Sequence, residues 1–283
     1  MTSAVQILNG SQIAAKGLSE ISKKIEKLRG SGEALCLATV QVGNSKDAAL
    51  YLKTLENLLK KLGIDHLSSI SLEKISETEL CAKVSELNED ASVSGILIFS
   101  PLPTHLDNAR VLASLSQLKD VEGRTFLKSH FGVFSPTANA VLRLIEETGQ
   151  DLAGKEAVVV GHSDIVGKPV AVLLMDKLAT VTVCHARTRN LREKIENAEI
   201  VVAAAGKPNL IRGDWIRPGA IVIDVGENVV DGRLVGDVEF DAAKTRAAFI
   251  SPVPGGVGPL TNVILLENLL KLHSLRQSYN GNH

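Results

Sequence analysis

The chain has 283 residues, 45% hydrophobic and 22% charged, with 31 Lys and Arg set against 32 Asp and Glu. A chain of this length outgrows one ordinary core, so two modest domains are expected, and the composition excludes extensive disorder. The charge is balanced and no block of one sign stands out, which excludes a nucleic-acid footprint and leaves a small molecule as the expected partner.

The first predicted element is a helix over Ser11 to Leu28, where Ile13, Leu18, Ile21 and Ile25 fall on one stripe before the breaker run Gly30-Ser31-Gly32. Ala34 to Val42 reads as a buried strand, Lys46 to Leu62 as a helix stopped by Gly63, and His66 to Leu72 as a polar strand. Ser76 opens a capping box with Glu79, so a helix is expected over Glu77 to Leu87. Val93 to Phe99 is a further buried strand, ended by Pro101 and Pro103. A helix runs from Ala138 to about Glu147. Strands are then expected at Glu156 to Val160, Ala179 to Cys184, Ile200 to Ala204 and Ala220 to Val225, with helices at Val166 to Lys177 and Leu191 to Asn197.

This alternation predicts an α/β fold in which a doubly wound, parallel, Rossmann-type domain spans 146–262 and an N-terminal α/β domain spans 1–145. A last helix from Val263 is expected to return to the first domain, so that 263–283 packs there.

Cys36, Cys81 and Cys184 are an odd number at wide spacing, which fits neither a disulfide framework nor a metal site. The start MTSAVQILNG lacks the basic stretch and long apolar run of a signal peptide, and no apolar run approaches the ~20 residues of a membrane span. A cytoplasmic protein without bound metal or membrane partner is expected.

The segment Gly161 to Pro169, GHSDIVGKP, leaves a strand and opens a helix with Pro169 in its first turn. Backbone N–H groups in such a turn can face a pyrophosphate, although G-x-S-x-x-x-G is not the usual glycine spacing, and a purely structural turn has the same appearance. Two more turns, Ala205-Gly206-Lys207-Pro208 and Gly226-Glu227-Asn228, follow strands of the same domain. Ligands of doubly wound sheets bind beyond the carboxyl ends of strands, so the three turns together predict a dinucleotide.

Taken with Ile7-Leu8-Asn9-Gly10, Pro101-Leu102-Pro103, Lys119-Asp120-Val121, TVCHART at Thr182, GDVEF at Gly236 and SPVPGGVGPLT at Ser251, these segments resemble the methylenetetrahydrofolate dehydrogenase/cyclohydrolases over nearly the whole chain. The last run is the most specific, with two glycine turns bracketed by three prolines. The resemblance implies a homodimer of two-domain subunits that binds a tetrahydrofolate derivative in the cleft between the domains. It also implies reversible hydride transfer to NAD or NADP and hydrolysis of the methenyl product. In the family a tyrosine, a lysine one helical turn later and a supporting glutamine surround the one-carbon unit, and an aspartate of a DVDG segment binds the pterin.

On this chain the tyrosine is Tyr51, but the lysine position is Leu55, the glutamine position is Phe99 and the aspartate position is Glu122. A family serine is replaced by Ala48. The family's CTP segment is Ser135-Pro136-Thr137, preceded by a short HFGVF stretch that begins at His130. The substrate residues carried over are Tyr51, Glu122, Pro101, Pro103, Pro254, Gly255 and Gly256. The cofactor residues are Gly161, His162, Ser163, Ile165, Val166, Gly167, His185, Ala186, Arg187, Gly206, Lys207, Pro208, Gly226, Asn228 and Thr261. His162 stands where an arginine often meets the 2′-phosphate of NADP, so NADP preference is expected to weaken, and Ala186 stands where the family has a serine.

Leu55 has no proton to move, and Lys53, about 200° around the helix from Tyr51, faces away. The expectation is therefore an NAD(P)-dependent 5,10-methylenetetrahydrofolate dehydrogenase without cyclohydrolase. Two alternatives stay open: a repurposed enzyme acting on another small molecule in a more apolar cleft, and a non-catalytic binding or regulatory subunit. Glu122 reads equally as a solvated loop carboxylate, and Tyr51 as a packing residue.

Overall fold

The structure, a computed structural model, describes residues 4–43, 45–71, 73–124 and 131–280. Leu72, read as the end of a strand, and His130, read in the HFGVF stretch, lie outside the described residues. The elements in order are β1 (Gln6–Ile7), α1 (Gly10–Gly30), β2 (Cys36–Val42), α2 (Lys46–Leu62), β3 (Asp65–Ser71), α3 (Glu77–Glu89), β4 (Gly95–Ile98), α4 (Asn108–Ala113), α5 (Pro136–Glu146) and β5 (Glu156–Val160). They continue with α6 (Gly167–Asp176), β6 (Thr180–Cys184), α7 (Leu191–Asn197), β7 (Ile200–Ala203), β8 (Ile221–Asp224), β9 (Asn228–Val230), β10 (Arg233–Val235), α8 (Phe240–Ala243), β11 (Phe249–Ile250) and α9 (Gly258–Asn280).

The chain divides into two compact units, one formed by Met1–Gly17 with Ser135–Ile264, the other by Leu18–Phe134 with Leu265–His283. Helix α5 packs on α6 and β8 and so lies in the first unit, although its sequence reads as the close of the N-terminal segment. The N-terminal residues join the same unit because β1 pairs with β11. Two residues are too few to show a strand period in sequence.

Among the described residues the first unit has a six-stranded sheet in the order β1-β11-β8-β7-β5-β6, parallel throughout. Val158, Val160, Val201, Ala203 and Val222 pack on one face with Ile195 of α7, Ile211, Ile216 and Ala243 of α8. Helices α5 and α6 pack together, and both touch the sheet. Strands buried on both faces need no polar alternation, which accounts for runs such as Val158-Val159-Val160.

The second unit has a three-stranded parallel sheet, β3-β2-β4. Ala38, Val40, Ile96 and Ile98 pack on one face with Leu80, Val84 and Leu87 of α3 and Val111 of α4. The capping box of α3 is present, with Ser76 and Glu79 each accepting from the other's backbone N–H. Helix α2 begins at the Ser45 cap and ends at Gly63 in the left-handed region, φ 67°. Its buried residues Leu52, Leu55 and Leu59 recur at helical spacing. Leu55 and Leu59 are fully buried, a contribution of about 2 kcal/mol each.

Candidate active site

In the second unit the candidate residues gather where β4 ends and α2 passes. Tyr51 stands edge-on to Phe99, with ring centroids 5.8 Å apart and an interplanar angle of 70°. Just over a third of Tyr51 is exposed, yet burial, seconded by the negative charge of Glu122, holds its pKa well above the usual tyrosine range. Its hydroxyl is therefore a neutral phenol at any working pH. Leu55, one turn along, has no exposed surface, while Lys53 points to solvent. Leu55 is a core residue of α2, and Lys53 lies on its exposed side.

Glu122 is not a solvated loop carboxylate. Its Oε2 lies 2.7 Å from Nη2 of Arg124, and only 22% of the Glu122 side chain and 7% of the Arg124 side chain are exposed. Arg124 also donates to Ser100 Oγ at 2.6 Å and to Ile98 O at 2.9 Å, which ties the pair to the end of β4. Burial pushes the Glu122 pKa up to about 7 against the opposing pull of Arg124, and Asp120 adds to the rise. Asp120 orders the same loop by accepting from Glu122 N at 3.1 Å. Pro101 follows a cis bond from Ser100, and Pro103 O accepts from Leu106 N at 3.0 Å, closing the turn after β4. Gln41, on the strand beside β4, is also buried, and its Oε1 meets no donor among the described residues.

In the first unit, the ends of β5 to β8 carry the candidate cofactor residues. Gly161 has φ 130°, and a Cβ there would stand 2.1 Å from Ala204 O; a Cβ on Gly167 would stand 2.2 Å from Gly161 O. Only glycine permits this stacking of turn on turn. Ser163 Oγ accepts from Val166 N at 3.2 Å and from Gly167 N at 3.5 Å, so it caps the start of α6. Ser135 Oγ donates to Ile165 O at 2.6 Å and holds the turn from α5. His162 and His185, at the ends of adjacent strands, have ring centroids 5.4 Å apart. Ala186 and Arg187 next to them are exposed, and Arg187 N donates to His185 Nδ1 at 3.2 Å.

The second turn is built by Asp237 of the GDVEF segment, to which the sequence alone assigns no role. Asp237 is fully buried and accepts from Ala205 N at 2.6 Å, Gly206 N at 2.9 Å, Lys207 N at 2.8 Å and Asn228 Nδ2 at 2.9 Å. Those three amides and the Asn228 side chain are spent within the protein, so Gly206, Lys207 and Asn228 can meet a ligand only through other atoms. Asp224 serves the third turn, accepting from Gly226 N, Asp237 N and Val238 N at 2.9 Å each. Pro254 to Gly256 lie at the start of α1, where Ser11 N donates to Gly255 O at 3.3 Å, and Thr261 Oγ1 donates to Gly258 O in the first turn of α9. Among the described residues no group of three or more His, Cys, Asp or Glu could hold a metal ion, and no helix is long and apolar enough to cross a membrane.

These loops match known proteins on both units. Residues 135–277 match the family model of the tetrahydrofolate dehydrogenase/cyclohydrolase NAD(P)-binding domain, and residues 8–122 match that of the catalytic domain. The chain belongs to the tetrahydrofolate dehydrogenase/cyclohydrolase family. Similar curated proteins include the bifunctional protein FolD of Pelobacter propionicus, 45% identical over 274 residues that cover 94% of this chain and 96% of that protein. Among solved structures, the FolD methylenetetrahydrofolate dehydrogenase/cyclohydrolase of Campylobacter jejuni is 37% identical with a TM-score of 0.93, covering 96% of this chain and all of that one. The Trypanosoma brucei FolD, solved with NADP and an inhibitor, is 34% identical with a TM-score of 0.89 over 96% and 98% of the two chains. The fold is thus the family's α/β fold with its Rossmann-type NAD(P)-binding domain. Arg124, and the role of Asp237 within GDVEF, are not legible in the sequence, because the partners that define them lie 2 to 32 positions away and no spacing rule joins them.

Proposed function

We propose that this family member is an NAD(P)-dependent 5,10-methylenetetrahydrofolate dehydrogenase that has lost cyclohydrolase activity. The observation that carries the reading is Leu55, fully buried at the family's lysine position on the helix of Tyr51, with Phe99 at the glutamine position.

The two half-reactions differ in what they ask of the protein. Oxidation of the methylene bridge to the methenyl cation transfers a hydride and releases no proton, so binding and orientation suffice. Hydrolysis of the methenyl carbon requires water to lose a proton, which calls for a group of suitable pKa within reach. The residues that would orient the substrate are Tyr51, as a neutral hydrogen-bonding phenol beside Phe99, and Glu122, as an acceptor for pterin N–H groups. Pro101 and Pro103, in the same unit, would frame it. The stacked Gly161 and Gly167 turn at the head of α6 fits a dinucleotide pyrophosphate, with His162, His185 and Arg187 toward its ribose. When bound, the nicotinamide supplies the hydride acceptor. With histidine at the position where the family's arginine meets the 2′-phosphate, NAD is accepted at least as well as NADP. The subunit works as a cytoplasmic homodimer, as its family resemblance implies.

Calorimetric titration with a tetrahydrofolate analogue, NAD⁺ and NADP⁺ tests the reading. Binding of the folate and of both nucleotides is expected. Nucleotide binding without folate binding would favour a repurposed site, for which the apolar Phe99 packed against Tyr51 is the supporting observation.

A further inference from the structure

Arg124 is an expensive residue to keep. Its guanidinium is almost wholly buried, and its Nε is fully buried without an acceptor among the described residues, an arrangement that stability alone disfavours. Its other nitrogens reach three groups at the carboxyl end of β4: Glu122 Oε2, Ser100 Oγ and Ile98 O. Glu122 Oε1, by contrast, accepts no hydrogen bond from the described residues.

We propose that Arg124 is a positioning residue, clamping Glu122 through Oε2 and anchoring it to the end of β4 so that Oε1 is presented as a fixed acceptor to ligand N–H groups. The ligand class is a planar ring edge with N–H donors, such as an amino-pyrimidine; this rests on the reading of the site as a folate site. A glutamate has one more rotatable bond than an aspartate, and ordering it costs rotamer entropy, which a three-point clamp meets in advance.

The clamp also sets charge. The ionisable groups that act on Glu122 are Arg124 and Asp120 of its own loop, and Tyr51 faces it from α2. Burial already lifts the carboxyl to about 7, so removal of Arg124 lifts it further. At pH 7.5 the clamped carboxyl is mostly ionised and accepts; without Arg124 a larger share carries a proton.

The experiment uses the full chain labelled with ¹³C-glutamate, with Glu122→Gln to assign the signal. In the wild type the Glu122 carboxyl carbon is expected to titrate near neutrality, and in Arg124→Gln at least about one pH unit higher. Affinity of Arg124→Gln for a tetrahydrofolate analogue falls at least about threefold at pH 7.5, the loss of ionised carboxylate for a shift of one pH unit, and recovers toward pH 9. A Glu122 titration unmoved by Arg124→Gln, or an affinity loss that does not change with pH, overturns the proposal. Should Arg124→Gln fail to fold, Arg124→Lys decides. Lysine keeps the charge but cannot reach all three partners at once, so Kd rises several-fold while the titration moves little, and an unchanged Kd overturns the proposal. If the wild type binds no folate analogue at any pH, the folate reading fails, while the carboxyl titration still tests the clamp.

Discussion

The first unit and the second both set their candidate residues beyond the carboxyl ends of parallel strands, yet they build with different materials. At the ends of β5, β7 and β8 the structure is made of backbone: glycines stacked on carbonyls and amides tied down by Asp237 and Asp224. At the end of β4 it is made of side chains: Tyr51 against Phe99, and Glu122 against Arg124. Backbone sites tolerate few sequences, so the loops keep a family pattern. Side-chain sites can be rebuilt one residue at a time without disturbing the fold. The chain matches both family models over most of its length, and the resemblance sets Leu55, Phe99 and Glu122 at side-chain positions where it implies lysine, glutamine and aspartate.

The largest effect is expected in the backbone site. Asp237→Ala leaves four N–H donors without an acceptor and should cost about 4 kcal/mol in urea denaturation, together with loss of nucleotide binding. A loss under 1 kcal/mol would mean that the turn does not depend on its carboxylate.

In the side-chain site, Leu55→Lys places an ammonium at a position with no exposed surface and should cost about 3 kcal/mol while restoring no cyclohydrolase on its own. Combined with Phe99→Gln, which supplies the family's amide partner, part of that loss should return, and a coupling above about 0.5 kcal/mol in the double-mutant cycle would show that the two positions act together. Strict additivity would separate them.

The smallest effect is a pH slope. The folded state raises the Glu122 pKa from 4.5 to about 7, so it holds the proton more tightly than the unfolded chain does. Its contribution to stability is therefore fully present below pH 4.5 and falls as pH rises through 7, by on the order of 2 kcal/mol. The stability of the wild type relative to Glu122→Gln should drop by that amount between pH 4 and pH 8. A difference that grows with pH would mean the ionised carboxylate is the favoured form.

The same contrast governs what the sequence discloses. Periodicity located α2, α3 and β5 to β8 because their buried faces repeat at 3.6 or run apolar throughout. It passed over β1 and the β9-β10 hairpin, which are two and three residues long, with β9 and β10 largely exposed. The loops at Gly161 and Gly206 were legible because glycine marks a backbone constraint. Leu55 was legible as a change of chemistry, but its complete burial was not, since that depends on the sheet beneath α2. Arg124 and Asp237 were illegible, because what each does depends on carbonyls and amides brought to it by the fold.

The most direct test is to follow methylenetetrahydrofolate-dependent NAD(P)⁺ reduction and the fate of the methenyl product in one reaction. Cofactor reduction is expected with accumulation of 5,10-methenyltetrahydrofolate, which disappears no faster than it does without protein. Reduction with conversion to 10-formyltetrahydrofolate at an enzyme-dependent rate, or no reduction at all, would contradict it.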